Sequence, residues 1–533
     1  MFKGITRSFL SIEKRYFFVV CGALSLILGC KKDTKTSVPD NASRTELTKD
    51  SIFLYAKQTY LWYNQLPEYN TFNPRTYNRS SEEIENLDDE LYALTRYAKN
   101  SSNVPYEQGS NEGSPKYSYI DNITDQNPVA YVPGKKANVD LQGNGYDFGL
   151  KLDLYGNTSN YRLYIEAVYP GSDAASKGLG RGDYITSIEN KDIGTKYNDE
   201  IELINDVFFR DKYSAIAVKV TKRNGSNVTL NLTRKSYRSS PIYKDSVYTS
   251  GARKVGYMAY ARFTNLSNSQ SEFNRIFTRF TNSGVTDLII DLRYNGGGYV
   301  STAEYLMNLI APASLNREMM YAEHFNKLMQ DGKATILKNQ LILDASNRPQ
   351  DSNNDGKLDT YADASYTVAS NTRYFSKVGS LNTINNVVFI TSSSTASASE
   401  LVINCLKPHM NVKVVGQTSY GKPVGFFPIR IDKYDVYLSM FESKNSKGEG
   451  GYYSGISPDY PIQRAAPRND FGDLNEDAIK AAYNYITTGA FTGSGNTTSS
   501  ILSKGILPLE VQGGKQLKDS EFKGMIEDRV RLK

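Results

Sequence analysis

From residue 254 onward, short apolar runs alternate with amphipathic segments, and this alternation leaves the chain few folds to choose from. Val285 to Leu292 is almost continuously apolar and is ended by Arg293, so it predicts a strand buried on both faces. Ahead of it, Ser267 to Ser283 places Phe273, Ile276, Phe277 and Phe280 on one helical face. Val255 to Ala261, Val387 to Thr391 and Val412 to Gly416 read as further strands; Val300 to Leu309 and a segment starting at Ala398 read as helices. Strands alternating with helices predict a partly parallel sheet covered on both sides. The expected fold class is α/β plus β.

The flanking regions have other textures. Residues 44 to 140 predict a small N-terminal helical domain followed by a connecting loop: Leu47, Ile52, Leu54, Tyr55, Tyr60 and Leu61 form one stripe, and Ile84, Leu87, Leu91 and Leu94 another. Residues 101 to 140, rich in Ser, Asn, Gly, Pro and Tyr, suit a connection and not a core. Residues 141 to 240 read as a β domain, with runs at Phe148 to Leu154, Tyr161 to Val168 and Ala215 to Val220. The last is expected to pair with Val228 to Leu232 across Asn224-Gly225, and Asn198 to Phe209 is a helix candidate. Residues 241 to 491 form the α/β unit, interrupted by an insertion at 312 to 383. Residues 492 to 533 read as a Thr/Ser/Gly/Asn linker and a C-terminal segment with no assignable role.

The N-terminus reads as an address. Lys3, Arg7, Lys14 and Arg15 precede the apolar run Phe17 to Leu28, which is signal-peptide length and short for a membrane span. The run ends Ile27-Leu28-Gly29-Cys30, which resembles a bacterial lipobox. Residues 1 to 29 are expected to be a lipoprotein signal, Cys30 the lipidated residue, and 30 to 43 a polar tether. The implied location is a bacterial cell envelope, lipid-anchored and periplasmic or surface-exposed. With 63 basic and 57 acidic side chains and no basic stripe, nothing points to nucleic acid. Two histidines, His324 and His409, argue against a zinc hydrolase. Of three cysteines only Cys405 lies in the body, so no intrachain disulfide is expected there. Asp351, Asn353, Asp355 and Asp359 resemble half of a calcium loop, but the closing Glu is absent because position twelve is Ala362; apart from this weak structural-calcium candidate no cofactor is implied.

The chemistry-bearing residues follow two strands. Val387 to Thr391 runs into Ser392-Ser393-Ser394-Thr395-Ala396-Ser397-Ala398-Ser399-Glu400, a small-residue turn leading into a helix. Such a turn presents a serine, and the helix start supplies N–H groups for an oxyanion. No histidine stands in a partner motif, whereas Gly421-Lys422-Pro423 fixes a lysine in a turn. A lysine serves as base when burial lowers its pKa.

Two resemblances sharpen this. Tyr146-Asp147-Phe148-Gly149-Leu150, Val168 to Ala175 and Leu179 to Ile185 resemble a PDZ domain inserted in a processing protease. That likeness implies that Phe148, Gly149 and Leu150 form a loop receiving a peptide's free C-terminal carboxylate. The second is to the carboxyl-terminal processing proteases, the S41 serine peptidases. It rests on the Ser-Ala-Ser-Glu turn, on Lys422 placed 25 residues after Ser397, on Leu292-Arg293-x-Asn295-x-Gly297-Gly298, and on Gly455-Ile456-Ser457-Pro458-Asp459. It implies a mixed α/β protease core of ClpP/crotonase-like type, Ser397 as nucleophile in preference to Ser399, and Lys422 as base. It further implies an oxyanion hole from Ala398 with Gly297 or Gly298, protein or peptide substrates, and no cofactor. Where that family often carries Gln four residues after the lysine, this chain has Phe426, so support for the dyad falls to other groups, Glu400 among them. The alternative reading is a non-catalytic peptide-binding lipoprotein that keeps the protease fold.

Overall fold

The computed structural model describes residues 41–109, 113–124, 139–210, 212–344, 348–491, 505–510, 517, 522–527 and 529–533. Residues 1–40, which hold the signal and most of the tether including Cys30, lie outside the described residues.

The α/β unit is built on a six-stranded sheet in the order Ile242–Ser250, Arg253–Tyr260, Asp287–Asp291, Asn386–Thr391, Asn411–Gly416, Tyr460–Pro461. The first pair is antiparallel and every later pair parallel. All five residues of Asp287–Asp291 are buried, which is why this stretch reads as a continuous apolar run. Side chains alternate between two layers. Ile289, Val388, Ile390 and Val415 meet Ile479, Ala482 and Ile486 of the helix Asp477–Thr488 on one side. On the other, Phe280 of the helix Leu266–Asn282 lies over Gly256 and Leu288. That helix contacts Val300–Ile310, which in turn contacts Ala398–Leu406.

The β domain is antiparallel, in the order Leu150–Asn157, Asn160–Val168, Tyr184–Ile188, Ala215–Thr221, Asn227–Thr233. Ala215–Thr221 and Asn227–Thr233 pair in full register around Asn224-Gly225, where Gly225 takes φ +87°. The helix Tyr197–Phe208 buries Ile201, Ile204, Val207 and Phe208 against this sheet.

Two regions differ from the sequence expectation. Residues 101 to 140 were expected to lie outside any core, yet Tyr119–Asn122 is a strand pairing antiparallel with Tyr434–Tyr437, and Tyr117, Tyr119 and Ile120 are buried. Polar, tyrosine-rich composition hid it, because tyrosine fills a core while leaving its hydroxyl to a partner. The insertion does not stand apart either: Met319–Phe325 and Thr372–Tyr374 join Phe441–Asn445 and Val424–Gly425 in a four-stranded sheet. The N-terminal helices Arg44–Thr59 and Glu83–Thr95 touch this part of the molecule too, Glu83 accepting a hydrogen bond from Tyr434 at 2.9 Å.

Candidate active site

Ser397 stands where the strand Asn386–Thr391 passes into the helix Ala398–Leu406. Its backbone takes φ 59° and ψ −112°, a region a side chain with a Cβ disfavours by roughly 1–3 kcal/mol. Such a kink turns the side chain out of the helix start and is characteristic of strand-to-helix nucleophile turns. Ser397 is buried and its Oγ has no hydrogen-bond partner among the described residues. Ser399 differs: its hydroxyl donates to the Asn295 carbonyl at 3.0 Å. Of the two serines, only Ser397 has an unengaged oxygen.

Lys422 is also fully buried. Its Nζ donates to the carbonyls of Tyr117 at 3.0 Å and Lys523 at 2.9 Å, and lies 4.4 Å from the centre of the Phe426 ring. Burial pulls its pKa down from 10.5 to about 7, against the opposing pull of the Glu107 and Glu400 carboxylates. A neutral amine has two N–H donors and one lone pair. The two carbonyls satisfy the donors, which leaves the lone pair as the atom's remaining function. Ser397 and Lys422 make no direct hydrogen bond.

Glu400 joins the two turns. Its carboxylate accepts the N–H of Ser397 at 2.8 Å, of Lys422 at 2.8 Å and of Gly421 at 2.7 Å, together with the Ser419 hydroxyl. Burial pushes this carboxyl up while the four donors hold it down. It therefore supports the pair through backbone, not by touching the ammonium. The lysine turn is closed from outside by the Gly455 element: Ile456 N–H donates to Ser419 Oγ at 2.7 Å, and Asp459 accepts the Val414 N–H at 2.8 Å.

The Gly-Gly element lies beside the nucleophile turn. Asn295 Oδ1 accepts the Gly297 N–H at 3.0 Å, so that donor is engaged inside the turn. The Ala398 N–H, first of its helix, has no bond among the described residues. Gly297–Tyr299 pairs in parallel with Gly524–Ile526, and in that register the Gly298 N–H faces the Gly524 carbonyl. Of the two glycine candidates, Gly298 thus presents its N–H to a peptide carbonyl and Gly297 does not.

Sequence reasoning missed Glu107 and Tyr117. The buried Glu107 carboxylate accepts from Tyr60, Ser118 Oγ, Ser439 Oγ and the N–H groups of Tyr117 and Ser118. It thereby fixes the stretch that leads into the strand Tyr119–Asn122 and carries the Tyr117 carbonyl holding Lys422. The run Tyr117-Ser118-Tyr119-Ile120 was the one available signal, a short β-like stretch inside an apparent loop.

In the β domain, Phe148 is buried against Phe208 and under the Arg234 guanidinium. Gly149 takes φ +87°, and its N–H donates to Asp147 Oδ1 at 2.7 Å, so this donor is turned inward. Leu150 opens the edge strand and is buried. In the insertion, Asp351 accepts the N–H groups of Asp355 and Gly356, Asn353 accepts that of Asp355, and Asp359 accepts that of Ser352. No cluster of three or more His, Cys, Asp or Glu positioned to hold a metal occurs among the described residues. Cys405 is a buried thiol whose pKa burial raises, and His409 bonds Ser446 and the Met319 carbonyl; neither joins the site.

A buried serine with an unengaged oxygen, a buried lysine near neutrality and a helix-start N–H are groups that acyl transfer at a serine would require. Residues 254–462 match the model of peptidase family S41. The chain carries a peptidase family S41 domain and is homologous to carboxy-terminal processing proteases. It is 25% identical over 320 residues to the carboxy-terminal processing protease CtpB of Bacillus subtilis, covering 54% of this chain and 55% of that protein. It is 23% identical over 328 residues to the chloroplastic C-terminal processing peptidase of Tetradesmus obliquus, covering 59% and 60%. The matched regions thus span little more than half the length of these relatives. A crystal structure from Bacteroides fragilis, assigned as an S41 protease, shares the fold with a TM-score of 0.54 at 19% identity, over 85% of this chain and 98% of that one.

Proposed function

We propose that this protein is a serine endopeptidase in which neutral Lys422 takes the proton from Ser397 and the Ser397 Oγ attacks a peptide carbonyl. The Ala398 and Gly298 N–H groups hold the resulting oxyanion. The tetrahedral intermediate collapses, Lys422 gives its proton to the leaving amine, and an ester joins Ser397 to the acyl fragment. Water, deprotonated by the same amine, then hydrolyses that ester and restores the serine. Every step uses groups of this chain and needs no cofactor. The observation that carries the reading is the contrast between Ser397, strained and unpartnered, and Ser399, hydrogen-bonded away.

The β domain is read as a PDZ-type module that delivers protein C-termini; the edge position of Leu150–Asn157 supports strand addition there. Cys30 is read as a lipidation site holding the protein at an envelope membrane. No helix among the described residues is long and apolar enough to cross a membrane.

The test compares Ser397→Ala with Ser399→Ala on an unfolded model protein, with fragments read by mass spectrometry. The expected result is loss of cleavage at least 1,000-fold, as an order of magnitude, in the first and near-normal cleavage in the second. Cleavage retained in Ser397→Ala at matched purity would overturn the assignment.

A further inference from the structure

The last described stretches of the chain do not lie on an indifferent surface; they pair with two strand edges. Leu507 to Leu509 lie antiparallel to the edge strand of the β domain: Gly156 N–H donates to the Leu507 carbonyl at 2.9 Å and Leu509 N–H to the Leu154 carbonyl at 2.8 Å. Leu509 and Leu517 pack against the core of that domain. Farther along, Phe522 to Glu527 pass between the Gly-Gly element and Phe426, bonded on both sides. Gly524 N–H donates to the Gly296 carbonyl at 3.0 Å on one side; on the other, Phe426 N–H donates to Met525 O at 3.2 Å and Glu527 N–H to Phe426 O at 3.1 Å.

The fit at the chemistry is close. A methyl group added to Gly297 would stand 2.5 Å from the Gly524 carbonyl oxygen and 2.9 Å from Ser397 Cβ. The Lys523 carbonyl takes one of the two N–H donors of Lys422, and the Gly524 carbonyl faces the Gly298 N–H. Met525 is fully buried, with its sulfur 3.4 Å from Ser443 Oγ. Glu527 is bound by Arg373 at 3.2 Å and by Arg529, and Arg529 is anchored on Glu304. Backbone pairing on both edges, a glycine opposite the nucleophile, a buried apolar side chain after it and a paired carboxylate beyond are the features of a bound peptide.

We propose that residues 505–510 and 522–527 are internal occupants of this protein's own peptide-binding edges: the first stretch docks as an added strand on the β domain, and the second lies across Ser397 and Lys422 where a substrate strand would lie. The occupant keeps other peptides out and describes the peptide the cleft accepts, an extended segment of the pattern Phe-Lys-Gly-Met-Ile-Glu with the glycine at the nucleophile. This rests on the peptidase reading for its consequence in activity, but not for the occupancy itself.

The test separates the two, using the full chain. Two substitutions eject the segment by different physics. Met525→Asp buries a carboxylate where a thioether sits, and Glu527→Arg sets a third guanidinium against Arg373 and Arg529. In a Ser397→Ala background, a fluorescein-labelled peptide Phe-Lys-Gly-Met-Ile-Glu is titrated by anisotropy, with thermal melts to confirm folding. The expected result is binding at least about tenfold tighter in both variants than in the parent. Equal binding by the parent and both variants, or no binding by any of them, would overturn the occupancy, and if one variant does not fold the other decides. With Ser397 restored, the variants should cleave an unfolded protein several-fold faster than the parent. Gained binding with no cleavage would leave the occupancy standing and count against the peptidase reading.

Discussion

Replacing Lys422 by arginine separates a proton-accepting role from a merely cationic one. Burial lowers the Lys422 pKa from 10.5 to about 7, a difference worth roughly 5 kcal/mol between the protonation states. With an ordinary pKa, roughly one lysine in 3,000 would be neutral at pH 7; at this site about half are. Cleavage by the native chain should therefore rise about tenfold per pH unit below 7, level off above it, and at pH 5 run at about one hundredth of the plateau. Stability moves the same way. Below about pH 7 the lysine is protonated in both folded and unfolded chains, and the cost of burying the ammonium is fully present. Between about 7 and 10.5 the unfolded chain binds the proton more readily, so stability rises with pH. Arginine stays charged throughout and still offers donors to the Tyr117 and Lys523 carbonyls. The expected outcome is at least about a 100-fold loss of kcat with a lowered melting temperature. The assay is release of a fluorescent fragment from an unfolded protein across pH 5 to 9 at constant ionic strength, alongside thermal melts. A Lys422→Arg variant keeping more than about a tenth of native activity, or a native profile flat across pH 7, would refute the assignment of Lys422 as base.

Glu400→Gln gives the second check: its amide nitrogen would face N–H donors now bound by a carboxylate oxygen, at a cost of about 1–3 kcal/mol per unmet donor, so both kcat and the denaturant midpoint should fall. An unchanged midpoint would mean the carboxylate does not hold the turns. Gly421 takes φ +84°, and a Cβ there would lie 2.4 Å from the Tyr453 carbonyl oxygen, so Gly421→Ala should lose at least about 2 kcal/mol together with most activity. Full activity in that variant would show that the lysine turn tolerates displacement.

Much of the α/β sheet was legible because burial on both faces leaves a continuous apolar run, as in Val285 to Leu292, and because helices such as Leu266–Asn282 keep one aromatic face. The hairpin at Asn224-Gly225 was legible from turn chemistry alone. The residues placed at the site came from spacing and resemblance, and the choice between Gly297 and Gly298 could not: it depends on which N–H the Asn295 side chain captures, a matter of side-chain geometry. Tyr117 and Glu107 were illegible for another reason. Their partners lie hundreds of positions away at Lys422 and Ser439, and a polar stretch that completes a distant core carries no periodicity of its own. The same holds for Phe522 to Glu527, whose meaning lies wholly in what it touches.

The four-fold grip of Glu400 has a mechanical consequence. Nucleophile and base sit on different loops, yet parting them means breaking charge-assisted bonds worth about 1.5–3 kcal/mol apiece on both sides of one carboxylate. That half of the centre behaves as a rigid block. The other half, the carbonyls of Tyr117 and Lys523 against the amine, is held by one hydrogen bond from each of two separate segments. Compliance is therefore lopsided: whatever opens or aligns this centre moves the walls around the block and leaves the block itself intact.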